Sequence, residues 1–370
     1  MRRTLAAALL SAMAGAAVLA PVPAAASSDP RFAEQWNLAQ VGAPAAWAVT
    51  TGAGVRIGVV DSGVDLGHED LAGKVVASAN CIGSGGDTAR CGGSAQDDNG
   101  HGTHVAGIAA ATRDNGRGGA GVAPDAALVV AKVLAADGSG TDGDVTAGIK
   151  WVVDHGARVV NLSLGDPFLV TTLFGSSLRE GIEYAWSRGA VPVLAAGNTN
   201  LLGLGIGSSN YGPIPALVVG ATDRTDRVTA FSSPLGTARW ALLAPGGAGN
   251  GRDADEVLST FWRKDRPNAY TGLSGTSMAA PHVSGAVALL LARGLSPQAA
   301  VDRLLATTAT RVQCGAGSPT CRGRLDVGRA VTGVPTPPVA PPARRTTGGL
   351  GGLLDFLRIL DLLPVGVPRT

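Results

Sequence analysis

Three short segments carry residue types that together suit nucleophilic catalysis. In Val59-Val60-Asp61-Ser62-Gly63-Val64-Asp65 an aspartate ends an apolar run. Asn99-Gly100-His101-Gly102-Thr103-His104-Val105 sets a histidine among glycines, and Ser274-Gly275-Thr276-Ser277-Met278-Ala279-Ala280-Pro281-His282 sets a serine at the head of an apolar stretch. A serine hydroxyl is a poor nucleophile at neutral pH. It needs a base within hydrogen-bond reach, and the base needs a partner that orients it. Asp61, His101 and Ser277 supply the three types. Each alone also fits a satisfied buried polar group, so the joint pattern carries the argument.

These residues must be positioned by elements whose pattern is legible. Val55–Val60, Ala127–Val133, Val159–Leu164, Val191–Ala195 and Ala216–Gly220 are near-continuous apolar runs, as expected of parallel strands covered on both faces. Between them lie helical patterns. Thr141 reads as an N-cap with Asp144 three residues on, followed by Val145, Ile149, Val152 and Val153 at helical spacing. Leu178–Arg188 stops at Gly189, and Ser277–Ala292 stops before Gly294. Alternating strands and helices predict a three-layer α/β fold, with sites gathered at the carboxyl ends of strands.

On those three segments, and in the order Asp, His, Ser, the chain resembles the subtilase family of serine peptidases from about Phe32 to Ala330. The resemblance implies a subtilisin-like fold with a mostly parallel central sheet flanked by helices. It also implies a serine endopeptidase that hydrolyses peptide bonds through an acyl-enzyme, with no cofactor for the chemistry. Carried over residue by residue, Ser277 would be the nucleophile, His101 the general base and then acid, and Asp61 the group that orients His101. His104 would be a structural histidine and Asp65 a loop residue. Asn198, in Ala195-Ala196-Gly197-Asn198, would donate to the oxyanion beside the Ser277 N–H; the rival reading is a turn asparagine. Ser163-Leu164-Gly165 and Gly138-Ser139-Gly140 match segments that pair with an extended peptide, with Gly-rich turns as the alternative. A structural calcium would use Asp70, with Asp114 and Asn115 as further oxygen ligands. Arg113 and Arg117 in the same loop oppose a cation and favour a solvated loop.

The whole chain bounds this reading. It has 370 residues, 45% apolar and 16% charged, and a formal net charge of +2. No basic stripe suggests a nucleic-acid partner, so peptides or proteins are the expected substrates. Arg2 and Arg3, the apolar stretch Leu5–Leu19 and Ala24-Ala25-Ala26 read as a signal peptide over 1–26, hence a secreted protein or one held at the cell envelope. Export permits disulfides. Cys81, Cys91, Cys314 and Cys321 allow three connectivities, of which the local pairs 81–91 and 314–321 are favoured because each closes a short Gly-rich loop. The peptidase domain is expected over 27–334, a Pro/Gly-rich linker over 335–348 and an amphipathic tail over 349–370. That tail is too short and charged to span a bilayer, and suits contact with a membrane surface or a protein. A non-catalytic peptide-binding protein on the same fold is the rival from another class.

Overall fold

The computed structural model describes residues 27–164, 176–198, 211–315 and 317–333. The expected signal peptide, Gly165, the linker and the tail lie outside the described residues. Among those described, no helix is long and apolar enough to cross a membrane.

Among the described residues, ten strands and eight α-helices form three layers. Strands β1 (Arg56–Asp61), β2 (Val75–Asn80), β3 (Ala127–Lys132), β4 (Val159–Leu162), β5 (Val191–Ala195), β6 (Leu217–Thr222), β7 (Trp240–Pro245) and β10 (Cys321–Arg324) build one eight-stranded sheet, and every pairing in it is parallel. Its order is β10-β7-β6-β5-β4-β1-β3-β2. β8 (Val257–Phe261) and β9 (Ala269–Leu273) form a separate antiparallel hairpin. The helices are α1 (Trp36–Gln40), α2 (Ala43–Trp47), α3 (His101–Ala110), α4 (Asp142–Asp154), α5 (Ser176–Ser187), α6 (Thr276–Ala292), α7 (Pro297–Ala306) and α8 (Val327–Thr332).

Period-two alternation divides the core. Ile57, Val59, Leu128 and Val130 face one apolar layer with α3 and α6, whereas Val60, Val129 and Ala131 face the other with α4 and α5. The predicted cap of α4 is present: Thr141 Oγ1 accepts the Asp144 N–H at 3.2 Å. β1 lies between β3 and β4, where chain order reverses, so the carboxyl ends of β1, β3, β4 and β5 open on one crevice. Asp61 ends β1, and Ser163 and Asn198 follow β4 and β5 closely.

Candidate active site

Asp61 is fully buried and faces Lys132 across the β1–β3 register. Its Oδ1 accepts the Ser62 N–H at 2.7 Å and lies 2.8 Å from His101 Nδ1. Nδ1 therefore carries the proton and donates, leaving Nε2 as the basic atom. His101 opens α3, and 24% of its side chain is exposed against none of Asp61, so the imidazole alone of the pair meets the crevice. The close approach of α3 to β1 needs Gly102, where an added Cβ would fall 2.0 Å from Gly63 O and 3.1 Å from Asp61 Cβ. Burial alone would depress the His101 pKa; the charge and hydrogen bond of Asp61, with the charge of Asp97 behind, outweigh it and raise the pKa above the ordinary imidazole value.

Asp97 is a site residue that motif reasoning missed. Its buried carboxylate accepts the N–H groups of Asn99, Gly100 and Thr103, each at 3.0 Å, and the Ser62 hydroxyl at 2.9 Å. It thus satisfies free donors at the start of α3 and fixes the turn that carries His101. An aspartate shortly before the helix start was the available signal. Lys132 was missed too. Its buried Nζ donates to Ser62 O at 2.7 Å and Leu134 O at 2.8 Å and pairs with Asp98 at 2.6 Å, bracing the strand ends around Asp61.

Ser277 is the second residue of α6. The preceding Gly275 has φ 154° and ψ 161°, a backbone state that side chains strain. A Cβ built there would also meet Asn198 Nδ2 at 3.3 Å. Asn198 Oδ1 accepts from Thr276 N at 2.9 Å and Thr276 Oγ1 at 3.0 Å, which turns the amide nitrogen toward the Gly275–Ser277 backbone. Gly197 N donates to the same Thr276 Oγ1 at 2.9 Å. The Ser277 hydroxyl donates to Ser163 O at 3.2 Å, and the Ser277–His101 hydrogen bond is not formed in this arrangement. The structure thus joins Asp61 to His101, and Ser277 to Ser163 and the Asn198 turn.

The flanking segments differ from each other. Leu164 continues from β4, half-buried, whereas Gly138-Ser139-Gly140 lies in a turn closed by Ala135 N to Ser139 O at 2.8 Å. Ser139 gives its N–H and hydroxyl to Asp137 Oδ1, at 2.9 and 2.6 Å. Asn99 Nδ2 donates to Ala136 O at 2.9 Å and ties this turn to the His101 loop.

Asp70, Asp114 and Asn115 do not converge as oxygen ligands. Asn115 presents Nδ2 to Asp70 Oδ1 at 2.7 Å, and Asp70 Oδ2 accepts the Gly119 N–H at 3.1 Å. Burial pushes the Asp70 carboxyl up to about 6, against those two hydrogen bonds. Asp114 spends its carboxylate on the Ser28 N–H at 2.9 Å and on Arg113 at 2.7 Å. The loop turns N–H groups inward, to Asp29: Asp114 N at 2.8 Å, Asn115 N and Gly116 N at 3.0 Å. Among the described residues no group of three or more His, Cys, Asp and Glu side chains could hold a metal. In this arrangement the Asp70 carboxylate is taken up by Asn115 and Gly119, and the N–H groups of 114–116 by Asp29.

His104 donates through Nε2 to Thr271 O at 3.0 Å, and burial holds its pKa down to about 3, so it is neutral and structural. Both expected disulfides, Cys81–Cys91 and Cys314–Cys321, are formed.

The chain is similar to known proteins over most of its length. The profile described as the Subtilase family matches residues 52–326. Thermitase from Thermoactinomyces vulgaris is 38% identical over 307 residues, covering 82% of this chain and 98% of that protein. Subtilisin DY from Bacillus licheniformis is 39% identical over 267 residues, covering 70% and 85%. Among solved structures, a protease from Pseudoalteromonas arctica superposes with TM-score 0.69 at 28% identity, covering 84% of this chain and 99% of that one.

Proposed function

The chain belongs to the subtilase family of serine endopeptidases, and from that premise we propose that it is a secreted enzyme that cleaves peptide bonds through Asp61, His101 and Ser277. The observation that carries the proposal is the 2.8 Å contact of His101 Nδ1 with the buried Asp61 carboxylate, which leaves Nε2 basic at the crevice.

The steps follow from the residues. Ser277 Oγ rotates from Ser163 O toward His101 Nε2, gives up its proton and attacks the carbonyl carbon. The imidazolium formed is stabilised by Asp61, whose full burial denies it water as a competitor. The developing oxyanion is met by Asn198 Nδ2 and the Ser277 N–H at the start of α6, where the helix dipole favours negative charge. His101 then protonates the leaving amine, and water reverses the sequence on the acyl-enzyme. The small side chains of Ala195 and Ala196 would permit a large apolar substrate side chain, and Ser163-Leu164-Gly165 and Gly138-Ser139-Gly140 are the proposed peptide contacts. Export rests on the pattern of residues 1–26. A membrane or protein contact of 349–370 rests on sequence pattern alone.

A fluorophosphonate probe tests the reading. Labelling at Ser277, lost in Ser277→Ala together with peptidase activity, supports it. Absence of labelling, or near-normal activity in Ser277→Ala, rejects it in favour of a peptide-binding protein.

A further inference from the structure

The β8–β9 hairpin ends in a tip, residues 262–268, that the reaction above does not use. The last residue of β8, Phe261, lays its ring on Gly100, where an added Cβ would meet the ring at 2.5 Å. Behind it Thr260 Oγ1 donates to Thr103 O at 2.7 Å, and Ser259 Oγ to His104 O at 2.8 Å. The strand is therefore fastened to the turn of α3 that begins with His101. Trp262-Arg263-Lys264-Asp265-Arg266-Pro267 continues directly from that contact, and residues 263–267 are exposed. Arg263 pairs with Asp265 at 3.5 Å. Among the described residues, neither Lys264 nor Arg266 has a carboxylate within ion-pairing distance. The tip sets three cations against one anion.

The other neighbour of the same loop has the opposite sign. Asn99 holds Ala136, and the next residue, Asp137, is exposed. Its hydrogen bonds from the Ser139 side chain and backbone hold its pKa below the usual carboxylate range, so it is charged at neutral pH. The two segments held against the loop before His101 thus carry opposite charge.

We propose that the hairpin tip is a specificity element that favours substrates with aspartate or glutamate on the stretch leaving the site toward Lys264 and Arg266. The inference rests on the peptidase reading and adds a substrate class to it. The attraction acts on encounter and binding, so it belongs in KM more than in kcat. Exposed pairs contribute little each, and two or three of them amount to roughly threefold to tenfold in kcat/KM.

The test uses internally quenched peptides that differ only by glutamate or glutamine, scanned through positions on both sides of the cleaved bond. The expected result is a glutamate preference of about threefold to tenfold on one side only, at low salt. It should fall to about one at 1 M salt, where the screening length is about 3 Å. Arg263→Glu, Lys264→Glu and Arg266→Glu together should invert it while cleavage of the glutamine peptide stays within about twofold. Cleavage of the glutamine peptide without any glutamate preference, or a preference that survives the charge reversal, overturns the inference alone. If no peptide is cut and the fluorophosphonate leaves Ser277 unlabelled, the peptidase reading falls and takes the inference with it.

Discussion

Ser163 and Ser277 exchange hydrogen bonds: Ser163 Oγ donates to Ser277 O at 2.8 Å, and Ser277 Oγ donates to Ser163 O at 3.2 Å. The first bond exists because of Pro281. Four residues beyond Ser277 in α6, it has no N–H to give to the Ser277 carbonyl, which a regular helix would require. Ser163 fills that vacancy. It is itself fixed by Asn161 Nδ2 at 2.8 Å, and Asn161 Oδ1 accepts from Ser284 Oγ at 2.8 Å. A buried polar chain thus joins β4 to the first turns of α6.

Ser163→Ala should accordingly weaken both stability and turnover. It leaves the Ser277 carbonyl and the Asn161 amide without partners, at a cost of about 1–3 kcal/mol. Differential scanning fluorimetry should show a melting temperature lower by several degrees. Steady-state assays should show kcat falling more than KM rises, because the backbone that carries the nucleophile loses its tether. A variant with unchanged kcat would show that the tether does not position Ser277.

The pH profile follows from His101. Its pKa is raised by Asp61 and Asp97 against the opposing effect of burial. A general base must be neutral, so the acid limb of kcat/KM should lie above the ordinary imidazole value of about 6.5. The sign for stability is opposite to that for activity. The charged pair stabilises the fold fully below about pH 6.5, and that contribution fades as pH rises through the folded value. Asp61→Asn should cut turnover by about 10⁴, the scale known for this substitution in serine peptidases, and should lower the midpoint of the residual acid limb. An acid limb unmoved in Asp61→Asn would detach His101 from it.

Asn198→Ala should lower kcat by about 10²–10³, the magnitude known for this donor in the family, with little change in KM. Thr276 loses an acceptor in the same variant, so a parallel measurement of melting temperature is needed to separate the two effects. A loss wholly in KM would remove Asn198 from the oxyanion role.

How far the sequence reached depended on where each residue finds its partner. Asp61, His101 and Ser277 were legible because each sits in a short motif beside a strand end or a helix start. The five strands read from sequence, β1, β3, β4, β5 and β6, are all central and apolar. β2 escaped because it is a half-exposed edge, and β10 because Cys-Arg-Gly-Arg has no apolar pattern. The Ser- and Thr-bearing hairpin β8–β9 escaped for a related reason, since Ser259 and Thr260 spend their side chains on the α3 backbone while Val257 joins the apolar core. Asp29 and Asp97 were silent because most of their partners are backbone N–H groups, which any sequence provides. The calcium expectation rested on residue types, which did not reveal that loop 114–116 turns its N–H groups to Asp29.

That loop supports a last prediction about the N-terminal segment. Asp29 is 5% exposed and binds three consecutive N–H groups about 85 residues away, while Phe32 and Trp47 pack at 5.9 Å between ring centres and Trp47 Nε1 donates to Val122 O at 2.9 Å. The expected result in a Ser277→Ala background, where self-digestion is removed, is that Asp29→Ala lowers the melting temperature by a few degrees through loss of about 1–3 kcal/mol. Trypsin should then cut faster after Arg113 and Arg117, because the carboxylate that holds their loop is gone. Chelator or added calcium should shift the melting temperature of the parent by no more than about 1 °C, since a ligand that does not bind the native state contributes no linkage. A stabilisation of several degrees by calcium would mean that the loop can reverse its peptides and present oxygens, and the assignment of Asp29 as its anchor would then be wrong.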